Sequence, residues 1–302
     1  MLGIVVVSFG SASLLRANLA GLHRDAMRTP STVVVVDNFR GSSARESVRA
    51  VAAEHGWELV QNATNAGFGS AANAGVARAA ELGCAAVVLV NPDAVIDARV
   101  LDELADQVAR TPHCLVSPRV LRPDGRPWFT GGRIDVRAGR TRNVEFPAEA
   151  QQDGWLSGAC LAADTGWWSE LGGFDDDYFL YWAAVDLSYR WTRAGGTLLV
   201  RQDLEVLHDV GGTQEQAGGG RAKSSTYYYY NCRNRLLFAA RHLGRGDVRR
   251  WLVRQPAYAW AVLMRGGRRQ LLRPWTPVSA AVSGSCRGAA LAVRALVRGV
   301  RT

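Results

Sequence analysis

The five cysteines of this 302-residue chain, Cys84, Cys114, Cys160, Cys232 and Cys286, form no Cys-x-x-Cys pair, and their number is odd. A disulfide framework or a zinc site is therefore not expected; reduced, mostly buried thiols are. No stretch reaches the roughly 20 apolar residues that a membrane-crossing helix needs. The N-terminus enters an apolar strand pattern with no basic stretch or cleavage site before it, so no signal peptide is expected. No internal repeat is seen. Acidic residues are scarce in one region only. Residues 221–302 hold 16 arginines and Lys223 against a single acid, Asp247, a balance of +16, whereas residues 1–220 hold 19 arginines and no lysine against 26 acids, a balance of −7. The net charge of +9 thus belongs to the tail. A segment this basic seeks phosphate, on nucleic acid or on a membrane surface.

What is present is an ordinary globular composition, 48% hydrophobic and 21% charged, in a length that suits one large α/β domain and a smaller appendage. Gly3–Phe9, Thr32–Val36, Trp57–Val60 and Ala85–Val90 read as strands. Ser13–Leu22, Ser43–His55, Ala71–Leu82 and Val100–Arg110 read as the helices between and after them. Such alternation predicts a parallel sheet covered on both faces, with ligands beyond the carboxyl ends of its strands. Those ends are Ser8-Phe9, Asp37-Asn38, Gln61-Asn62 and Asn91-Pro92-Asp93. Residues 121–155, rich in Gly, Pro and Arg, predict hairpins or loops. Order returns at Gly158–Ala163, Gly166–Leu171 and Asp186–Ala194. Residues 211–225 read as a mobile loop, followed by helix over Tyr227–His242 and in broken pieces to the end.

Three features bear on chemistry. Gly67, Gly69 and Ala72 match the dinucleotide fingerprint G-x-G-x-x-G/A, with Asp93 at the distance its acid requires. That fingerprint follows a first strand, whereas this turn follows the third, so a tight strand-to-helix turn explains it equally well. Asp37 ends the second strand; its carboxylate suits either the imide N–H of a pyrimidine base or a cap on the next turn. Asp93, in Asn91-Pro92-Asp93, suits either a turn or a divalent cation, since Mg²⁺ and Mn²⁺ take few protein oxygens beside those of a diphosphate.

VVVSFGS, VVVVDNFRGSS, NATNAGFGSAANAG, VVLVNPDA, SGACLAA, ELGGFDDDYFLYWAAVDLSYRWTRAG and HDVGGT occur in this order. Over about residues 3–240 the chain resembles the family 2 inverting glycosyltransferases of GT-A fold, especially their bacterial rhamnosyltransferase-like branch. The resemblance implies a nucleotide-binding α/β domain with a mostly parallel central sheet over residues 1–240 (nucleotide half 1–110, acceptor half 111–240) and a basic helical extension over 241–302. It implies a dTDP- or UDP-sugar donor, dTDP-rhamnose first, a divalent cation (Mg²⁺ or Mn²⁺), and an acceptor hydroxyl such as that of a polyprenyl-diphosphate-linked sugar. By position, Asp37 would read the base with Ser8 and Phe9 around it, and Asn65 and Gly67 would approach the nucleoside. Asn91 stands in the donor-site turn; Asp93 and His208 would face the metal and diphosphate. Gly158 and Ala159 would line the sugar and acceptor cavity. Trp155, Trp167, Trp168 and Trp182 offer faces for stacking on sugar or for core packing.

The departure lies at residues 183–186. The family usually has Glu-Asp-x-Asp; this chain has Ala183-Ala184-Val185-Asp186. The Asp missing at Ala184 is the family's general base, worth roughly 10²–10⁴-fold, and Asp186, two places on, points elsewhere. The rest of the motif is intact, and a long-decayed gene rarely loses only two adjacent acids, so an engineered inactive form is expected ahead of a natural variant. In the tail, Arg249, Arg250 and Arg254 flank apolar residues, and Arg294, Arg298 and Arg301 recur along Ala289–Val300. Basic, amphipathic, Trp-containing segments lie on anionic membrane, and a solvated charged face is the alternative. No nucleic-acid module accompanies the charge. The expected location is cytoplasmic, peripheral at the inner face of the membrane. A glycosyltransferase acting on a soluble natural product, a non-catalytic nucleotide-sugar-binding protein and a nicotinamide-dependent oxidoreductase are the competing readings.

Overall fold

The computed structural model describes residues 1–22, 26–146, 153–208, 223–268 and 275–298. Most of the loop expected at 211–225, and Arg301, lie outside them. The valine runs form the strands they predict. In chain order the elements are β1 (Leu2–Ser8), α1 (Ala12–Leu14, continuing as a π-helical turn over Leu15–Leu19), β2 (Ser31–Asp37), α2 (Ser42–Glu54), β3 (Glu58–Gln61), α3 (Phe68–Glu81), β4 (Ala86–Val90), β5 (Ala94–Val95) and α4 (Ala98–Arg110). Then come β6 (Cys114–Leu121), β7 (Pro127–Phe129), β8 (Gly132–Asp135), β9 (Arg140–Asn143), β10 (Gly154–Trp155), β11 (Cys160–Asp164), α5 (Thr165–Glu170), α6 (Ala183–Arg193) and β12 (Thr197–His208). Four helices close the chain: α7 (Ser225–His242), α8 (Arg245–Val253), α9 (Gln255–Met264) and α10 (Trp275–Arg298).

The large sheet runs β3-β2-β1-β4-β11-β6-β12-β5, with β7 on β6. Its β3-β2-β1-β4 half is parallel, as crossover helices require. β11 enters antiparallel between β4 and β6, so the whole sheet is mixed. Alternate residues explain why the strands read as continuous apolar runs. Ile4, Val6, Val33 and Val35 join Val48 and Val51 of α2 and Leu101 and Leu104 of α4 in one core. Val5 and Val36 point the other way, onto α3, where a Cβ on Gly75 would stand 2.4 Å from Val5. That glycine lets the helix lie close. The stretch read as hairpins or loops holds β7 to β10, and β10-β8-β9 form a small sheet.

The chain divides into two compact units, one of residues 1–133, 143–179 and 184–213, the other of residues 134–142, 180–183 and 214–302. Within the second, α10 packs on α7 through Ala281, Gly284, Gly288 and Ala292. A Cβ on Gly284 would come 2.2 Å from the Tyr229 carbonyl oxygen, so only glycine allows this approach. The sequence expectation that no segment is long and apolar enough to cross a membrane is corrected by α10, which at 24 residues qualifies by length and composition. Thr, Pro, Ser and Gly interrupt its first half and Arg287, Arg294 and Arg298 its second, which is why no uninterrupted apolar run marks it in the sequence.

All five cysteines are free; Cys286 is exposed and the others are buried. Burial pushes the Cys160 thiol up to about 12 and the Cys114 and Cys232 thiols up to about 11. These thiols stay protonated and unreactive at neutral pH.

Candidate active site

The strand ends of the parallel half gather the donor-site candidates. Asp37, the last residue of β2, is fully buried. Its Oδ2 accepts from Arg45 Nε of α2 at 2.7 Å, while its buried Oδ1 has no partner among the described residues. A buried carboxylate oxygen without a donor is costly, and a base N–H is the kind of group that would complete it. Ser8, at the end of β1, is buried; its Oγ accepts from Ser11 N at 3.1 Å and its carbonyl from Asn38 N at 2.8 Å. Phe9 is 42% exposed, with Arg40 above its ring.

Three asparagines shape the next turn. Asn38 Nδ2 donates to Asn65 Oδ1 and to the Gly67 carbonyl, each at 3.0 Å, and Asn62 Nδ2 donates to Asn38 Oδ1 at 3.1 Å. Asn65 Oδ1 also accepts from Gly67 N at 3.0 Å. Gly67 has φ +85°, and a Cβ there would stand 2.3 Å from the Phe179 carbonyl oxygen. The same carbonyl accepts from Phe68 N at 3.0 Å, which starts α3 earlier than the apolar spacing predicts. This accounts for the glycine without a dinucleotide. The sequence places Asn38 and Asn62 at strand ends, but their role in the turn depends on side chains meeting across two of those ends.

Asp93 and His208 are 115 residues apart in sequence, yet His208 Nε2 lies 3.0 Å from Asp93 Oδ1. Pairing of β5 with the end of β12, Ala94 opposite His208, brings them together. Asn91 Nδ2 stands 3.3 Å from the same His208 nitrogen. Asn18 Nδ2 holds the turn by donating to the Pro92 carbonyl at 2.9 Å. Asp93 and His208 are buried, and His208 Nδ1 has no partner among the described residues. Among those residues no cluster of three or more His, Cys, Asp or Glu forms. One carboxylate, one imidazole and a neighbouring amide suit a cation that takes its other ligands from a diphosphate. Trp128 of β7 packs beside His208, ring centroids 4.9 Å apart. It went unnoticed in sequence because its stretch read as loop.

Of the acceptor-side candidates, Trp155, Gly158 and Ala159 lie in the same unit as the donor-site candidates, and Trp182 lies in the other. Asn91 N donates to the Ala159 carbonyl at 3.0 Å, and Ala159 clusters with Val120, Phe129, Trp128 and Trp155. A Cβ on Gly158 would meet Phe68 at 3.2 Å and the Ala184 methyl at 3.8 Å. Ala184 therefore stands across Gly158 from the donor-site turn, and Ser188 ties the two segments by accepting from Leu156 N and donating to the Ala184 carbonyl. Asp186 is fully buried and bound to Arg190 at 2.7 Å. Arg190 in turn donates to the Leu171 and Gly173 carbonyls, so Asp186 braces the core. Trp168 packs on Phe174 and Trp191, Trp167 on His113. Trp182 is 7% exposed and packs on Phe238 and Trp251. Just before α6, Tyr181 and Trp182 take positive φ of 61° and 66°, a left-handed conformation that costs a non-glycine residue energy. Buried Asn234 of α7 holds this turn, donating to the Leu180 and Tyr181 carbonyls at 2.8 and 3.0 Å.

A family model described as "Glycosyltransferase like family 2" matches residues 2–240. The chain is 28% identical over 235 residues, 69% of its own length and 76% of the relative's, to an N-acetylglucosaminyl-diphospho-decaprenol L-rhamnosyltransferase of Mycobacterium tuberculosis. Its fold is similar to that of mannosyltransferase PcManGT from Pyrobaculum calidifontis, solved with GDP-Man and Mn²⁺, at TM-score 0.57 and 17% identity over 98% of this chain and 86% of that one. It is also similar to GalNAc-T7, solved with UDP, GalNAc and Mn²⁺, at TM-score 0.54 and 16% identity over 69% of this chain and 44% of the other. The chain thus spans less than half of that last protein.

Proposed function

The chain belongs to glycosyltransferase family 2 and has the GT-A fold; from that premise we propose that it binds a dTDP- or UDP-sugar, first of all dTDP-rhamnose. The acceptor is a hydroxyl of a polyprenyl-diphosphate-linked sugar at the inner face of the cytoplasmic membrane, transfer inverts the anomeric carbon, and the form present here is impaired in the chemical step. The likeness to the mycobacterial rhamnosyltransferase supports donor and acceptor class. The observation that carries the donor site is the pairing of Asp93 with His208 beside Asn91, together with the unpartnered Oδ1 of Asp37.

Asp37 binds the base through its free oxygen, with Arg45 fixing the other. Asn38 and Asn65 hold the Gly67 turn at the nucleoside. Asp93 and His208 hold Mg²⁺ or Mn²⁺, which when bound neutralises charge on the departing diphosphate. Ala159 and Trp155 border the sugar, and Gly158 leaves room for it. On the acceptor side, deprotonation of the attacking hydroxyl falls to the position of Ala184, where a methyl cannot accept a proton. Asp186 does not replace it, since its carboxylate is buried against Arg190. Asp93 and His208 stand with the leaving group. Donor binding is therefore retained and turnover is slow. The same alanines favour a second reading, a nucleotide-sugar-binding protein without turnover. A thermal-shift panel of nucleotide sugars with and without Mg²⁺ or Mn²⁺ tests the first step. A metal-dependent upward shift with dTDP- or UDP-sugars and none with NAD is expected; a shift with NAD alone would overturn the assignment.

A further inference from the structure

Helix α10 has two apolar faces. One is the stripe Ala281, Gly284, Gly288 and Ala292, buried against α7. The other faces outward. Trp275 is 85% exposed and Val297 81%, and Val282, Cys286 and Val293 are exposed between them. At 100° per residue these five fall along one line, on the side of the helix away from the buried stripe. Arg287, Arg294 and Arg298, also exposed, each follow a residue of that line by one position and so form a row along its flank. On the helices packed beside α10, Val253 and Trp260 are exposed too.

A continuous apolar line in water calls for a partner, and the arginine row states its chemistry. It must offer an apolar interior bounded by negative charge. A second copy of the chain would bring its own arginine row, from a segment with a single acid, against the first. An anionic lipid surface meets both demands, with valines and Trp275 at the acyl boundary and guanidinium groups on phosphates.

Two observations decide between lying in the surface and crossing it. Arg287 stands at mid-helix, where a crossing would place its charge at the bilayer centre. The opposite face of α10 is bound closely to α7, with a Gly288 Cβ only 2.9 Å from the Arg233 carbonyl oxygen. α7 carries buried Asn231, Asn234 and Arg235 and could not follow into hydrocarbon. We propose that the outward face of α10 seats in the plane of an anionic lipid surface without crossing the bilayer. The proposal gives the membrane location a specific surface, and lipid binding reads it out separately from sugar transfer.

The test uses the full chain with vesicles of phosphatidylcholine, with and without phosphatidylglycerol. Cys286 serves as a built-in probe, since the other four thiols are buried. Co-flotation only with phosphatidylglycerol vesicles, weakened by salt, and protection of Cys286 from a water-soluble maleimide are expected. Val293→Glu with Val297→Glu, both at exposed positions, should weaken flotation on the order of tenfold or more while nucleotide-diphosphate binding and melting temperature stay unchanged. Unchanged flotation in that variant, or full Cys286 reactivity on vesicles, would overturn the proposal. Resistance to alkaline carbonate extraction would overturn it in favour of a spanning helix. Protection of Cys286 by concentration-dependent dimerisation without lipid would overturn it in favour of a second copy. Loss of nucleotide binding with flotation intact would count against the proposed transferase and leave the lipid surface standing.

Discussion

The two units hold their buried charges by different means. In the sheet unit three buried carboxylates have an arginine at hand: Asp37 with Arg45, Asp186 with Arg190, and Asp102 with Arg28. In the helical unit the fully buried Arg235 is held by the carbonyls of Gly139 and Trp251 at 2.6 and 3.0 Å and by Gln255 Oε1 at 2.6 Å. Its guanidinium also lies 4.7 Å from the ring centroids of both Trp251 and Tyr258. Burial pulls its pKa down to about 10, still well above neutral. The difference follows from composition. Residues 221–302 contain one acid, so a buried cation there must use dipoles and π faces. Three buried carboxylates of the sheet unit are thus paired with arginine, while the buried arginine of the helical unit is held by carbonyls, an amide and ring faces.

The comparison is sharpest at Ala184, the proposed position of the base in the sheet unit. Ala184→Asp with Ala183→Glu is expected to raise the single-turnover transfer rate on the order of 10²-fold or more, with donor affinity little changed. If the unaltered chain already transfers rapidly, or the restored one with its acceptor gains nothing, the base lies elsewhere. Next in size is the closeness of α10 to α7. Gly288→Leu should cost the helical unit about 1–3 kcal/mol, seen as faster amide exchange in α7 and α10. Nucleotide binding by the sheet unit should be unaffected, and its joint loss would show that the two units do not act separately.

The smallest effect concerns Asp102, whose carboxylate accepts the backbone N–H groups of Arg28 and Thr29 at 2.9 Å each. Burial alone would raise its pKa, but these bonds and the Arg28 charge outweigh it and hold the group below the ordinary carboxylate range. A depressed folded pKa gives stability that is present above the unfolded value and lost as pH falls through the folded one. Asp102→Asn should therefore cost about 1 kcal/mol near neutral pH, and denaturant melts should show the gap to the unaltered chain narrowing in acid.

The elements that position the proposed donor-site residues are legible in the sequence because their physics is local. Valine runs between helical spacings specify the parallel strands; Asp37 ends β2, Asp93 follows β4, and Gly67 stands just before α3. What is not legible depends on distant pairing. Nothing near Trp128 announces that β7 will lay it on His208, and nothing near Asn234 announces that it will hold the strained Tyr181-Trp182 turn. The antiparallel entry of β11 between β4 and β6 is likewise invisible to periodicity, which reports burial but not strand direction. Trp182 shows the converse, since an aromatic in a motif signals a ring without saying whether its face is open or packed.

The most direct measurement is a calorimetric titration of dTDP and UDP, with and without Mn²⁺, into the unaltered chain, Asp93→Ala and Asp37→Ala. Asp93→Ala should lose the metal-dependent part of the affinity, on the order of tenfold. Asp37→Ala should bind more weakly with or without metal. Equal affinity in all three proteins would contradict the assignment of these two strand ends as the donor site.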